Sequence, residues 1–266
     1  MSKVDDDFLN TIFVLEGINE GNYNKLFFSS NELLFKIFSN FNVCGKNVLT
    51  VLGSGDQAFH CYKNGAKSVD LFDINPLTIY YYYLRRWVVE YLGQFYPDKD
   101  FTNHDIKQLL KNVVIHSDYE NDAIQYWGGL TNLKFFSFRK LFFREIVKQK
   151  QGNEFNNLSV IKKRMSDDYS FYNIDLTNKV NINKKYDVII TSNISEYVHP
   201  SSLSIYKENL ANLLSNNGII VCSNLCRNGV DILEKTIFED SFTFNSMNKD
   251  VSWGKMMSLG YIYKRK

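Results

Sequence analysis

Two glycines and one aspartate follow two apolar segments of the chain. Gly53 and Gly55 come directly after residues 48–52. Asp73 ends the next apolar segment, residues 69–73. Glycine lets the backbone turn tightly and approach a ligand, and the N–H groups of a helix that starts there favour an anionic group. A carboxylate that ends the neighbouring parallel strand can accept hydrogen bonds from both ribose hydroxyls, so these residues predict a site for an adenosine-containing cofactor.

The residues beside these three are assigned to the same site. Ser54 lies between the glycines, and Ile74 is placed to face the adenine. Asn75 precedes Pro76, and this pair is typical of a helix start, with the amide as N-cap and the proline at the first helical position. The second strand and the helix after it therefore supply further candidate contacts.

The glycine pattern does not identify one cofactor. Gly53-x-Gly55-x-x-Ala58 also satisfies the dinucleotide fingerprint of NAD and FAD enzymes. A glycine pair after a strand also occurs as a plain tight turn. The terminal Asp73 favours a ligand site over a plain turn. The residues themselves leave open whether the ligand is a dinucleotide or another adenosine-containing cofactor.

The composition of the 266 residues indicates a folded protein, with 44% hydrophobic residues, 15% aromatic residues and a net charge of +2. This charge does not predict a nucleic-acid partner. The four cysteines form no C-x-x-C pair and have no histidine at zinc-ligand spacing, so no metal is expected. The sequence lacks a signal-peptide pattern and a long apolar stretch, and we expect a soluble, cytoplasmic protein.

Periodicity and turn residues predict alternating helices and strands, interrupted by one long segment. The predicted helices are residues 4–41 with a break at 21–22, 56–64 ended by Gly65, 76–93, 201–214 and 230–238. The predicted later strands are residues 170–175, 186–192 and 218–223, followed by an antiparallel pair at 241–244 and 260–264. Between residues 94 and 165 we expect short helices, with a turn at 127–130.

In this order the elements and motifs resemble the class I S-adenosylmethionine-dependent methyltransferase superfamily. The residues that carry the resemblance are Gly53-Ser54-Gly55, Asp73, and the strand 186–190 with its following loop. More narrowly, residues 55–58, residues 73–76 and Ser192-Asn193-Ile194-x-Glu196-Tyr197 look like the BtaA-like family. That family consists of S-adenosylmethionine:diacylglycerol 3-amino-3-carboxypropyltransferases of betaine-lipid synthesis.

The resemblance implies an α/β fold. It predicts a Rossmann-like doubly wound sheet of the class I methyltransferase type, mostly parallel, with a C-terminal antiparallel strand pair, a helical N-terminal segment and a helical insertion. The expected organisation is one catalytic domain over residues 1–266. Within it, residues 1–45 form the helical N-terminal segment, 46–93 and 167–266 the Rossmann-like core, and 94–166 the insertion or lid.

The resemblance also implies S-adenosyl-L-methionine as the donor. Gly53, Ser54, Gly55, Asp73, Ile74, Asn75 and Ser192 are the expected contacts, and Asp175 is placed near the adenine amine. Two roles stay open for Asp56: holding the donor's ammonium, or only starting a helix whose dipole favours an acid.

The expected catalytic residues, Asn193, Glu196 and Tyr197, follow the fourth strand, at the carboxyl edge where such sheets bind ligands. Glu196 or His199 is the candidate base if the acceptor must lose a proton, although His199 also fits a surface position before Pro200.

The predicted function is transfer of either the 3-amino-3-carboxypropyl group or the methyl group to a small-molecule or lipid-like acceptor. No nucleic-acid partner is expected. The basic aromatic segment 134–144 fits a lid that packs its phenylalanines inward, or a helix in contact with a membrane surface. An NAD-dependent oxidoreductase and a non-catalytic donor-binding module remain the alternatives.

Overall fold

The computed structural model describes residues 34–93, 102–132, 158–165, 169–227, 242–246, 252–253 and 256–265. The strands are β1 (Asn47–Val51), β2 (Ser68–Asp73), β3 (Phe171–Asn173), β4 (Tyr186–Ser192), β5 (Leu214–Arg227), β6 (Phe242–Ser246), β7 (Ser252–Trp253) and β8 (Met256–Arg265). The α-helices are α1 (Leu34–Phe38), α2 (Asp56–Lys63), α3 (Leu77–Trp87), α4 (Asn103–Asn112), α5 (Asp118–Thr131), α6 (Leu158–Arg164) and α7 (Leu203–Leu213). The predicted helix at the start of the chain lies outside the described residues as far as residue 33, and the predicted helix 230–238 lies outside them entirely.

The chain divides into two compact units. The sheet unit consists of Ser30–Val51, Gln57–Asp73 and Asp168–Lys266. Of the described residues, the helical unit contains Leu52–Asp56, 74–93, 102–132 and 158–165. The sequence-based division into one catalytic domain with an N-terminal segment and an insertion stays a prediction.

The sheet unit has the strand order β3-β2-β1-β4-β5-β8-β6, with β7 paired to β8. Strands β1 to β5 pair in parallel, whereas β8 is antiparallel to both β5 and β6. The order reverses between β1 and β4, which is the reversal point of a doubly wound sheet. This confirms the predicted Rossmann-like, doubly wound sheet of the methyltransferase type and its C-terminal antiparallel pair.

The central strands are buried because parallel strands are covered on both faces. Strand β1 contains Val48, Leu49 and Val51, whereas β2 combines apolar residues with Ser68, Asp70 and Asp73 and is buried at every position after the first. Helix α7 packs with the sheet in a shared core of buried side chains. Its members include Leu49, Phe72, Ile189, Tyr206, Leu210, Ile220 and Tyr263.

One polar cluster joins the inner strands of the sheet. The buried Asp70 carboxylate accepts hydrogen bonds from the Tyr186 hydroxyl at 2.7 Å and from the Ser170 N–H at 2.9 Å. The Lys184 ammonium lies 2.7 Å from the same carboxylate. Burial raises the pKa of Tyr186, and hydrogen bonds with Tyr172 and Asp70 raise it further. The cluster therefore keeps a neutral phenol beside a carboxylate inside the sheet.

In the helical unit, the predicted turn at residues 127–130 is wrong, because α5 continues through both glycines to Thr131. The Trp127 ring is buried, and its Nε1 donates to the Tyr80 carbonyl of α3 at 2.8 Å. A Cβ on Gly128 would lie 4.0 Å from a Leu110 methyl group, which is ordinary contact. Packing between helices thus overrides the low helix propensity of glycine here.

The helix predicted to end at Gly93 does end there, but its last turn differs from the first three. An α-helix over Leu77–Trp87 changes to a π-helix over Val88–Leu92, and Gly93 closes it with a φ of +63°. Tyr81, Tyr82 and Tyr83 are buried. None of the described helices is both long enough and apolar enough to cross a bilayer.

Candidate functional site

The glycine turn requires glycine at both positions. Gly53 has a φ of +48° and Gly55 a φ of +83°, which L side chains rarely adopt. The Gly55 N–H donates to the Leu52 carbonyl at 2.6 Å and closes the turn. A Cβ on Gly53 would meet no heavy atom within 4 Å, so the backbone conformation, and not crowding by the protein, demands glycine there.

Asp56, the residue after the turn, forms a buried ion pair with Arg85 of α3. The Arg85 Nη1 lies 2.7 Å from the Asp56 Oδ1, and the two side chains are 1% and 5% exposed. The same Nη1 donates to the Ser54 carbonyl at 2.6 Å. The Ser54 hydroxyl donates to the other carboxylate oxygen of Asp56 at 2.9 Å. Asp56 therefore does more than start a helix, since its charge is matched by an arginine.

Sequence reasoning missed Arg85. The signal for it was a pair of arginines, Arg85 and Arg86, in a segment that is otherwise uncharged and rich in aromatic residues. A charged side chain on a buried helix needs a partner of opposite charge. The identity of that partner depends on how α3 passes the glycine turn, which the sequence does not give.

The Asn75 side chain accepts a hydrogen bond at the start of α3, but the helix begins at Leu77, so Pro76, and not Asn75, occupies the N-cap position. The Asn75 Oδ1 accepts a hydrogen bond from the Leu77 N–H at 3.0 Å. The Asn75 carbonyl accepts one from the Thr78 hydroxyl at 2.7 Å. Asn75 is buried and Ile74 is half-buried. Both the carbonyl oxygen and the side-chain oxygen of Asn75 accept hydrogen bonds from the first residues of α3.

Asp73 is the last residue of β2 and is 9% exposed. Its carbonyl accepts hydrogen bonds from the Ile174 N–H at 3.1 Å and from the Asn173 amide at 2.9 Å. Val51, the last residue of β1, is paired in register with Phe72. The two strands therefore end at the same edge of the sheet, and the glycine turn follows β1 directly in the chain.

Asp175 lies two residues after β3, which is shorter than predicted and ends at Asn173. One carboxylate oxygen accepts hydrogen bonds from the Thr177 N–H at 2.8 Å and the Thr177 hydroxyl at 2.7 Å. The other accepts one from the Asn178 amide at 3.1 Å. The Asp175 side chain thus stabilises a turn, and the turn ends the strand early.

The segment after β4 begins with a strained residue. Ser192 has a φ of +54° and is the one non-glycine residue with positive φ in the described part of the chain. It ends β4 beside an irregularity in the pairing with β5. Such a conformation in a non-glycine residue is costly and is concentrated at functional sites. Ser192 was predicted as a site residue from its motif, and its backbone is consistent with that prediction.

The strained Ser192 leads into a short 3-10 helix over Ile194–Tyr197. The Ser192 hydroxyl donates to the Asn193 Oδ1 at 3.4 Å, and Tyr197 is half-buried. Glu196 lies on the same 3-10 helix, but its side chain is outside the described part of the structure. The predicted catalytic residues Asn193, Glu196 and Tyr197 therefore follow the carboxyl end of β4, the strand next to β1.

His199 is an exposed capping residue. Its Nδ1 accepts the Ser201 N–H at 3.3 Å and lies 2.8 Å from the Ser201 hydroxyl, at the start of the 3-10 helix Pro200–Ser202. This geometry matches the alternative in which His199 is a surface residue. Over the residues that the structure describes, no group of three His, Cys, Asp or Glu side chains is arranged to hold a metal ion.

No family model and no curated protein matches this chain. Solved structures do match it. N-methyltransferase NodS from Bradyrhizobium japonicum, in complex with S-adenosylhomocysteine, is 12% identical with a TM-score of 0.47, over 98% of this chain and 98% of that one. A TehB-like SAM-dependent methyltransferase from Corynebacterium glutamicum is 10% identical with a TM-score of 0.45, over 87% and 86%.

Magnesium protoporphyrin IX methyltransferase from Synechocystis, with bound SAM, is a third match. It is 12% identical to this chain, with a TM-score of 0.41, and the match covers 99% of this chain and 92% of that one. The fold assignment of the present chain rests on its own strand order, in which the reversal point and the antiparallel pair are both observed.

Proposed function

We propose that this chain is an S-adenosylmethionine-dependent transferase. One observation carries the proposal. Strand β1 ends beside the point where the strand order reverses, and a turn with two glycines at positive φ follows it at once. Open α/β sheets bind ligands outside the carboxyl ends of their strands at this point. A glycine turn there gives a cofactor access to main-chain N–H groups.

The sequence assigns roles to the residues at this edge. In the proposal, Gly53 and Gly55 contact the donor through their backbone, and the Asp73 carboxylate accepts hydrogen bonds from the ribose hydroxyls. Ser54, Ile74, Asn75, Asp175 and Ser192 are the further proposed contacts. Asn193, Glu196 and Tyr197 are proposed to meet the acceptor, with Glu196 as the base where a proton must be removed.

The chemistry is displacement at a carbon bound to the sulfonium. The acceptor's lone pair forms the new bond, the C–S bond breaks, and its electrons return to sulfur, which becomes a neutral thioether. Alignment of the acceptor and exclusion of water supply most of the catalysis. We propose the 3-amino-3-carboxypropyl group as the group transferred. The support is the resemblance of residues 55–58, 73–76 and 192–197 to the BtaA-like family.

A dinucleotide enzyme is the second candidate, and one observation favours it. Ala58 is fully buried on α2, at the position where the dinucleotide fingerprint needs a small residue for close packing of helix and strand. The antiparallel pair at the C-terminal edge of the sheet favours the methyltransferase type instead.

Product analysis tests the proposal. The chain would be incubated with S-adenosylmethionine and candidate acceptors, including diacylglycerol, and the nucleoside products separated by chromatography. Methylthioadenosine would show aminocarboxypropyl transfer, and adenosylhomocysteine would show methyl transfer. Tight donor binding without either product would support a non-catalytic binding module. Calorimetry that detects NADH binding and no S-adenosylmethionine binding would overturn the proposed function.

A further inference from the structure

We infer that Arg85 is a positioning residue for the donor site: it holds the glycine turn in its binding conformation through Asp56 and the Ser54 carbonyl. This inference rests on the proposed function for the identity of the ligand. Arg85 itself is not proposed to touch the donor. Its contribution is to fix the backbone from which Gly53 and Gly55 would meet the donor.

The contacts of one nitrogen carry the inference. The Arg85 Nη1 donates to the Ser54 carbonyl at 2.6 Å and to the Asp56 Oδ1 at 2.7 Å. It therefore links the main chain in the middle of the turn to the side chain at the start of α2. Both contacts are charge-assisted, and such hydrogen bonds are shorter and stronger than neutral ones.

The ion pair is also sheltered from water. Arg85 is 1% exposed, Ser54 2% and Asp56 4%. Solvent screening is weak at such depth, so loss of one partner would leave the other charge buried and unmatched. Because the Ser54 carbonyl belongs to the peptide group that precedes Gly55, its movement would change the φ angle of Gly55, which is +83° here.

This arrangement also bears on the role of Asp56. One of its carboxylate oxygens accepts from Arg85 and the other from the Ser54 hydroxyl. The carboxylate is thereby paired with a cation before any ligand binds. The structure thus favours a structural charge at Asp56 over a free anion that waits for the donor's ammonium.

Arg85 further connects the turn to α3. This helix begins at Leu77, four residues after Asp73 in the chain, and Arg85 lies on its last turn. The Arg85 guanidinium carbon is also 5.9 Å from the centre of the Tyr81 ring one turn earlier. The helix backbone and this ring restrict where the guanidinium can be, which suits a positioning function.

The test compares Arg85→Gln with Arg86→Gln. Arg86 is the next residue on the same helix, is 5% exposed, and lies over the Tyr82 ring at 5.8 Å, so it controls for loss of a buried cation from α3. We expect Arg85→Gln to raise the Kd and KM for S-adenosylmethionine roughly 10-fold or more, the scale of outer-shell positioning contacts at metal sites. The kcat at saturating donor should change far less, and Arg86→Gln should keep the wild-type Kd.

Hydrogen exchange distinguishes a local effect on the glycine turn from general destabilisation, which would also raise exchange rates elsewhere in the protein. The amides of residues 53–56 should exchange faster in Arg85→Gln, with unchanged protection in the sheet. A double-mutant cycle with Asp56→Asn should show non-additive effects on the Kd, because the two residues act through one pair. If folded Arg85→Gln binds the donor with the wild-type Kd and protects these amides normally, the inference is wrong.

If Arg85→Gln does not fold, Arg85→Lys decides the question. Lysine keeps the charge, but its side chain is one bond shorter than the path to Nη1, so its ammonium cannot reach the positions of both acceptors equally well. We expect weaker donor binding and faster exchange at residues 53–56, and wild-type values for both would overturn the inference. Absence of donor binding in the wild-type chain is a different result, which would contradict the proposed function itself.

Discussion

The backbone at Ser192 allows a sharp test at the level of one residue. Its φ of +54° costs an L residue about 1–2 kcal/mol, whereas glycine adopts it freely. We expect Ser192→Gly to have a free energy of unfolding about 1 kcal/mol above that of Ser192→Ala. Both variants lose the hydroxyl, so their difference isolates the backbone. Urea unfolding of the two variants provides the measurement.

Ser204 is the matched control for this comparison. It is exposed and lies within α7, where the backbone is helical. There the alanine variant should be the more stable of the pair, since glycine loses more backbone entropy on folding. The same order of stabilities at both positions would contradict the strained conformation at Ser192.

Asp73→Asn tests the proposed ribose contact. The amide keeps the size of the side chain but removes the charge that would strengthen hydrogen bonds from the ribose hydroxyls. Charge-assisted hydrogen bonds contribute about 1.5–3 kcal/mol, so the Kd for S-adenosylmethionine should rise roughly 10-fold to 100-fold. Calorimetry measures it, with Glu208→Gln, an exposed carboxylate on α7, as the control. An unchanged Kd in Asp73→Asn would remove Asp73 from the site.

Sequence reasoning succeeded at these residues where the requirement was local. A glycine at positive φ is dictated by a few neighbouring atoms, so Gly53 and Gly55 were identified correctly as turn residues, whereas the helix after Asn75 starts one residue later than predicted. Arg85 was missed because its partner Asp56 is 29 positions away, and their contact depends on packing between distant segments.

At the level of strands, the hydroxyl of Tyr186 links β4 to Asp70 of β2, and its removal should weaken the sheet. We expect Tyr186→Phe to lower the free energy of unfolding by about 1–3 kcal/mol, because the buried carboxylate loses one donor. Tyr172→Phe is the control, since the Tyr172 hydroxyl makes a longer contact of 3.4 Å with the Tyr186 hydroxyl. Equal losses in the two variants would contradict a specific role for the Asp70 contact.

The same pair of strands predicts a pH dependence with a definite sign. Burial, with help from Tyr172 and Asp70, raises the pKa of Tyr186 above its ordinary value of 10.0. Below pH 10 the phenol is neutral in both states, and its contribution to stability is complete. Above pH 10 the unfolded chain ionises and the folded chain does not, so stability is lost by up to about 1.4 kcal/mol per pH unit.

Unfolding of wild type and Tyr186→Phe at pH 8 and pH 11 measures this effect. The stability advantage of the wild type should shrink at pH 11, because phenylalanine has no proton to lose. Other tyrosines and lysines titrate in both proteins and cancel in the difference. An advantage that stays constant or grows would show that the Tyr186 pKa is not raised in the folded state.

Strand and helix types were predictable from periodicity, but several boundaries were not. The third strand stops at Asn173 because the Asp175 side chain bonds to Thr177 and starts a turn. Helix α5 continues through Gly128 because Trp127 is fixed on α3. In both cases a specific hydrogen bond decides the boundary, and a hydropathy pattern contains no information about it.

At the scale of the whole molecule, the order of elements determines where chemistry is possible. Alternation of strands and helices, followed by two late strands, predicted the sheet and its antiparallel edge, and the observed order confirms both. The register was not predicted from the sequence, because it depends on which residues of neighbouring strands face each other, and these strands are far apart in the chain. That register sets which residues of β1, β2 and β4 end at the same edge, among them Val51 and Phe72.

Binding of the cofactor should raise the thermal stability of the whole protein, so a comparison of ligands can identify the cofactor. A ligand that binds only the folded state at 100 times its Kd adds about 2.7 kcal/mol of stability. For a chain of this size that corresponds to a rise in Tm of roughly 5–10 °C. We expect this rise with S-adenosylmethionine and none with NADH, measured by thermal unfolding of the full chain, with a smaller rise in Asp73→Asn at the same donor concentration. The opposite ranking of the two cofactors would favour the dinucleotide enzyme, to which the buried Ala58 also points.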